Sequence, residues 1–567
     1  MATPSGNGAR PFDLPLGLAA CVVTWLLLAP FAPIGIDPHH DGIMLKPALD
    51  VLHGQVLFRD TFCQYGALAP YLDALALGLF GPTLLVLRLT TVCFYGLSIG
   101  VLIVCWRMFL PRSLSLLAFA TWLLCVPFLT LFLLLPWSSV PALLFESIAC
   151  LCLIRALETF RPAPAFLAGT SAGLEFLCRQ PAGVFTFAAL AACFVATGVR
   201  RVHRRASIRG LLASTGGFTL VLAAFAGVLL WTGAFDDWLK QTIVWPRRWL
   251  ELDWVRASRA TLPLLMYASL GVRLFALGTA LVLGLRFVGR RLRAPLRWLL
   301  AAAYAALVVV VALYVRRSFA SMPGTLLLAV LAAFLVVLAH AALDEAPPAP
   351  GARAALAALF VCLGSWMQLY PIDEGQHLFW ALTPMLGFAL WAAWEASGRK
   401  TAAVALLTVL LWHPHVPDVL RGAYTKLGGP WVTLAEPPVL AGMRVRPEDA
   451  RDWTRLGDAV AGYLARRPRV PLMVEGPDAL YATLVPNLTN PAPLFVVWPG
   501  LDDDGLAARV RFIAENRPLV FAQQNAREPV RQALRAAGYA PLVVIASGEL
   551  LAPGDASAAG PPAAGSR

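Results

Sequence analysis

The sequence predicts an α-helical polytopic membrane protein of about 13 transmembrane helices with a small C-terminal α/β extracytoplasmic domain. Three observations predict it. Of 567 residues, 59% are hydrophobic and only 14% charged, against about 25% charged in an average soluble protein. Apolar runs near the length that crosses a hydrocarbon core, about 20 residues, recur along the chain. Lysine and arginine gather in short clusters between those runs, on every second loop, as orientation signals do.

This composition excludes a disordered chain, a collagen and a secreted disulfide scaffold. The net charge of +13 does not indicate a nucleic-acid partner, because the basic residues are dispersed between apolar runs. The ten cysteines form no CxxC pair and mostly lie inside apolar runs. There they act as small hydrophobes, so neither a disulfide framework nor a zinc site is expected.

Residues 1–13 form a short N-terminus. The first run, 14–33, is too long for a signal-peptide core and has no small-residue cleavage site after it, so it reads as an anchor. Further runs follow at 84–106, 114–134, 138–156, 164–178, 183–199, 210–233, 262–286, 298–315, 322–341, 354–370, 378–395 and 401–413. The clusters at 107–112, 155–161, 200–209, 286–297 and 399–400 fall on the side of the N-terminus, which is therefore read as cytoplasmic. The opposite side receives the first outer loop 34–83, the break at 179–181, the loop 234–261, the turn 371–377 and the segment 414–552. The loop 234–261 departs from the charge rule, but its acids offset much of its basic charge.

The C-terminal segment changes character. Residues 471–475, 494–498, 518–521 and 541–545 read as buried strands, and 450–466, 503–516 and 526–538 as helices. That alternation suggests a small α/β domain without a glycine-rich phosphate loop. Residues 553–567 are alanine, glycine, proline and serine, a disordered composition.

Three polar clusters carry the chemistry. The first is Asp37-Pro38-His39-His40-Asp41-Gly42, directly after the first span. Asp41-Gly42 reads as the cap of a helix running to His53, with Gly54 as its stop. A carboxylate here suits a general base or a ligand to a divalent cation, and imidazoles suit either; plain helix capping in a solvated loop is the alternative. Residues 67–80 are apolar but contain Asp73, so they read as an interfacial helix. The second cluster is Glu175 to Pro181, where Arg179 needs a partner or an anion. A phosphate at the membrane surface fits it, as does a Glu175–Arg179 pair at i, i+4. The third is Gln368 to His377, with Asp373 and His377 four residues apart; the alternative is a polar turn joining two helices. Arg88, Glu146 and Arg155 are further ionisable residues in apolar runs. Three clusters at helix ends on one side favour a shared cavity.

The order of these motifs resembles the opening of the GT-C superfamily of membrane glycosyltransferases, which includes the protein O-mannosyltransferases and the lipid A aminoarabinose transferases. The resemblance rests on Asp37 to Gly42, Gly54 to Asp60, Tyr65 to Tyr71, Leu79-Phe80-Gly81, Leu87-Arg88-Leu89, the Arg179-Gln180 break and Tyr370 to His377, within roughly 14–395. It implies transfer of a hexosyl or pentosyl group from a polyprenyl-phosphate-linked donor to a hydroxyl of a glycan, lipid or protein acceptor. It places the reaction at the outer face of the bacterial inner membrane or the lumenal face of the endoplasmic reticulum, the former being the expectation for this chain, with membrane lipids around the helices, and usually with inversion at the anomeric centre. Carried onto this chain, Asp41 is the first choice for the base and Asp37 the second. Arg179 with Gln180 would meet the donor phosphate, and His377 and Asp373 would line the cavity with His40 and Tyr65. Many relatives have Asp-Glu where this chain has His40-Asp41-Gly42, so the base and any divalent cation stay open.

Three rivals make distinct demands. A secondary transporter needs ionisable groups near the midplane and often an inverted repeat, whereas these clusters sit at span ends. A sugar-polymer ligase and a non-catalytic scaffold are the others.

Overall fold

The computed structural model describes residues 13–129, 132–198, 203–251, 352–365, 375–396, 416–485 and 503–554, with parts of a helix between 401 and 408. The predicted runs at 262–286, 298–315 and 322–341, the strand at 494–498, the end of the run 401–413, and Asp373 lie outside these residues. Among the described residues, five helices are long and apolar enough to cross a membrane: Leu14–Phe31, Leu84–Arg107, Ser139–Thr159, Gln180–Gly198 and Arg204–Thr232. The chain is an integral membrane protein.

In order the first helices are α1 (Leu14–Leu28), α2 (His40–Leu52), α3 (Leu68–Phe80), α4 (Leu84–Arg107), α5 (Arg112–Cys125), α6 (Ser139–Thr159), α7 (Pro162–Cys178), α8 (Gln180–Gly198) and α9 (Arg204–Thr232). Small residues let the spans approach. A Cβ on Gly17 of α1 would lie 2.8 Å from the Gly100 carbonyl oxygen of α4, and one on Gly169 of α7 would lie 1.9 Å from that of Ser214 on α9. Without a hydrophobic drive between helices in lipid, such close backbone packing supplies the association. The outward side chains of α1, among them Leu14, Leu18, Val22 and Leu26, are exposed, as lipid-facing residues are.

Two predicted runs are interrupted. The run 114–134 is helical only to Cys125, because Pro127 removes a backbone donor and disfavours helix at the residue before it. The run 378–395 is divided into α10 (Gly375–Leu382) and α11 (Met385–Ala396) by Thr383-Pro384. The expected interfacial helix is α3, whose 13 residues rise about 20 Å, short of a bilayer core. The break between α7 and α8 is narrower than expected. One residue, Arg179, is extended, and Pro181 then sits in the first turn of α8, where its missing N–H costs nothing.

In the C-terminal part, β1 (Val432–Thr433) pairs antiparallel with β2 (Arg444–Val445). A four-stranded sheet follows, built from β3 (Leu472–Glu475), β4 (Leu519–Gln523), β5 (Tyr539–Ile545) and β6 (Gly548–Pro553) in the order β3-β4-β6-β5. β3 and β4 are parallel, and β6 is antiparallel to both its neighbours. The sequence reading missed β6. Ala546-Ser547 forms a two-residue connection after β5, and the strand it starts ends in the Pro553 that was read as the beginning of the tail. Helix α12 (Pro447–Arg466) buries Trp453, Leu456, Val460 and Tyr463, the 3–4 spacing of one apolar face, in a core shared with this sheet.

Candidate active site

The first loop is built by its own carboxylates. Asp37 Oδ1 accepts the backbone N–H groups of His39 and His40 at 3.0 and 2.9 Å, so Asp37, and not Asp41, caps α2. Its Oδ2 meets His40 Nδ1 at 2.8 Å. Burial would raise the Asp37 pKa, but the His40 imidazole and backbone N–H outweigh burial and hold it at about 2. An ionised carboxylate only accepts hydrogen bonds, so Nδ1 of His40 carries the proton. α2 ends where Gly54 takes φ +86°, a left-handed conformation suited to glycine.

Asp41 is placed differently from the expectation. Its side chain and that of Arg88 are both 0% exposed. Arg88 Nε and Nη2 donate to Asp41 Oδ1 and Oδ2 at 3.1 and 2.5 Å, and the Asp37 N–H donates to Oδ2 at 2.8 Å. Arg88 Nη1 also donates to the Ala32 and Ile34 carbonyls at 3.2 and 3.0 Å. Asp41 therefore cannot meet a substrate hydroxyl in this arrangement. It fixes α2 and the loop to α4 through a residue 47 positions away in sequence. Asp37 and His40 retain access, with side chains 30% and 32% exposed.

The clusters meet around a residue that sequence reasoning missed. Trp137, in the irregular stretch before α6, has its ring centroid 4.7 Å from His40, 6.0 Å from Tyr65 and 6.0 Å from His377. His377 also lies 5.3 Å from Trp380. Two residues beyond Trp137, Ser139 Oγ accepts from Arg179 Nη1. Gly66 N donates to the Cys178 carbonyl at 3.1 Å, and a Cβ there would lie 2.1 Å from the Leu177 carbonyl oxygen, so the Tyr65-Gly66 turn rests against the Arg179 break. Glu175 does not make the alternative i, i+4 pair with Arg179; its carboxyl accepts from Thr186 Oγ1 at 3.1 Å. Among the described residues, the Gln180 side-chain nitrogen and the Trp137 indole nitrogen are buried with no hydrogen-bond partner. Both are donors beside an arginine, an arrangement that suits an anion. The structure thus brings together Asp37, His40, Tyr65, Arg179 and His377, leaves Asp41 behind them, and does not describe Asp373.

Next to this cluster an apolar cavity of about 390 Å³ lies between the first loop, α7 and α9. Phe58, Leu68, Tyr71, Leu177, Val221 and Phe225 line it, and Leu177 is two residues from Arg179. Among the described residues no three His, Cys, Asp or Glu side chains are arranged to hold a metal ion.

Residues 66–231 match the family described as dolichyl-phosphate-mannose-protein mannosyltransferase. Over this segment the chain is similar to the GT-C glycosyltransferases. The matched residues include Arg88, Trp137, Ser139, Arg179 and the α3, α7 and α9 side of the apolar cavity as far as Leu229. No curated protein matches the chain. Among solved structures, ArnT from Cupriavidus metallidurans bound to undecaprenyl phosphate is 14% identical, with 97% of this chain and 99% of that one covered and a TM-score of 0.45. The apo oligosaccharyltransferase of Archaeoglobus fulgidus is 13% identical, with 84% of this chain and 64% of that one covered and a TM-score of 0.46.

Proposed function

We propose that the chain transfers a sugar from a polyprenyl-phosphate-linked donor to an acceptor hydroxyl at the outer face of the inner membrane, with the N-terminus cytoplasmic and the C-terminal sheet outside. The observation that carries this reading is the convergence on Trp137 of His40, Tyr65 and His377, with Arg179 held two residues away. The match to a mannosyltransferase family supports it.

The chemistry follows from the groups present. The prenyl chain lies in the apolar cavity and its phosphate meets Arg179 and Gln180. The acceptor oxygen attacks the anomeric carbon, and the bond from that carbon to the phosphate oxygen breaks. The electron pair leaves on the phosphate, whose growing charge Arg179 offsets. The acceptor proton passes to His40 Nε2. Asp37 holds the imidazole with its proton on Nδ1 and stabilises the imidazolium that forms, the role a buried aspartate plays beside a catalytic histidine. Asp41 and Arg88 hold this pair in place. The acceptor is a glycan, lipid or protein hydroxyl.

The test is turnover by the full chain in nanodiscs, scored as release of polyprenyl phosphate from polyprenyl-phosphate sugars, beginning with mannose. Arg179→Ala is expected to raise the donor KM. A hydrogen bond to a charged group contributes about 1.5–3 kcal/mol, or roughly a 10- to 150-fold change. An unchanged donor KM would remove Arg179 from the phosphate site. Movement of a solute across proteoliposomes without covalent product would instead establish a transporter.

A further inference from the structure

The turn that carries Asp37 is gripped from the C-terminal part of the chain. Arg444 N donates to the Pro33 carbonyl at 2.6 Å, and Gly35 N donates to the Arg444 carbonyl at 2.7 Å. On the other side of Asp37, Leu480 N donates to the Pro38 carbonyl at 2.9 Å. A Cβ on Gly42 would lie 1.9 Å from Leu480 N, so the segment after β3 sits directly on the first turn of α2. These contacts are made by backbone. His39 adds a side chain to them: its Nδ1 donates to the Pro477 carbonyl at 2.7 Å. The same residue gives its backbone N–H to Asp37 Oδ1, and its ring stands edge-on to that of His40 at 4.8 Å. Asp478, next to Pro477, is held in turn by Gln523 at the end of β4, whose Nε2 donates to Asp478 Oδ2 at 2.5 Å and whose Oε1 accepts the Asp478 N–H at 3.0 Å. A continuous line of bonds thus runs from the carboxyl ends of the parallel strands β3 and β4 to the Asp37–His40 pair.

We infer that His39 is a positioning residue, pinning the C-terminal sheet to the base-carrying turn so that Asp37 and His40 keep their geometry. The inference rests on the proposed transfer reaction. It makes the sheet part of the catalytic unit rather than an appended module. His39 acts through its neighbours and does not touch the sugar.

The experiment uses the full chain in nanodiscs, with polyprenyl-phosphate mannose as the donor probe, and compares His39→Phe with His39→Asn. Phenylalanine keeps the ring and loses the donor; asparagine places an N–H close to the position of Nδ1. His39→Phe is expected to lower kcat roughly 100-fold, the scale of a 1 Å misplacement, with the donor KM unchanged. His39→Asn restores most of kcat. Deuterium exchange at residues 477–483 speeds up in the phenylalanine variant and not in the asparagine variant. Wild-type kcat in His39→Phe, an asparagine variant as slow as the phenylalanine one, or a rise in donor KM alone would each overturn the positioning role. If the wild-type chain turns over no donor, the transfer reading fails by itself, and unchanged exchange at 477–483 in His39→Phe then overturns the pin independently.

Discussion

Asp37→Asn is expected to lower kcat about 10²- to 10⁴-fold while leaving the protein folded. Asparagine caps helices as well as aspartate does, so α2 keeps its first turn. What changes is the proton on His40. An ionised carboxylate at 2.8 Å requires Nδ1–H, whereas an amide can present its own N–H and push the proton to Nε2, the nitrogen that must accept from the acceptor hydroxyl. His40→Gln is expected to fall into the same range. Steady-state kinetics on both variants decide between two chemistries. If Asp37 were itself the base, His40→Gln would retain much of the activity and Asp37→Asn would not. Equal, severe losses in kcat with intact donor KM support the pair. Asp37→Ala separates structure from chemistry, since it adds the loss of the cap, about 1 kcal/mol of stability.

Arg88→Met is the variant expected to cost most in stability, about 3–5 kcal/mol, because it leaves the Asp41 carboxylate buried without its cation. Typical folding free energies are about 5–15 kcal/mol, so this is a large share. Asp41→Asn, on the sequence reading a clean removal of the base, is here the removal of half a buried ion pair. It leaves the Arg88 guanidinium buried without a counter-charge, its remaining acceptors being the neutral asparagine oxygen and the Ala32 and Ile34 carbonyls. Replacing both partners with apolar side chains removes the unpaired charge altogether. Asp41→Leu with Arg88→Met is therefore expected to be more stable than either single change. Thermal unfolding of the purified variants checks this. Single changes that leave the transition unmoved, or a double variant as weak as the sum of its parts, would contradict the buried pair.

Much of this architecture was legible from residue type alone. Runs of 20 apolar residues can do little except cross or line a bilayer, and α1, α4, α6, α8 and α9 lie close to the predicted runs. The break at Arg179 could be read because an arginine followed by a glutamine and a proline cannot continue an apolar helix unchanged. The errors have physical reasons. Asp37 and Asp41 are four residues apart, and which one caps α2 and which one is buried depends on where the helix begins. That is set by Arg88, a partner the local sequence does not contain. Trp137 was missed because it falls in the three-residue gap between the runs 114–134 and 138–156, which reads as a short connection. The one available signal was Pro136 before it and the two serines after it, a polar interruption where the run 138–156 begins. The contact of residues 477–480 with the first loop joins segments more than 400 positions apart, and no periodicity encodes it.

The central claim is that Arg179, the Asp37–His40 pair and the apolar cavity serve one bound lipid phosphate. A cryo-EM structure of the full chain in nanodiscs with added undecaprenyl phosphate tests it most directly. The account predicts phosphate density at the Arg179 guanidinium, within reach of the Trp137 indole N–H and on the same side as His40, with the first prenyl units between Phe58, Leu177 and Phe225. Lipid phosphate bound away from Arg179, or a prenyl chain running elsewhere with the 390 Å³ cavity empty, would contradict it.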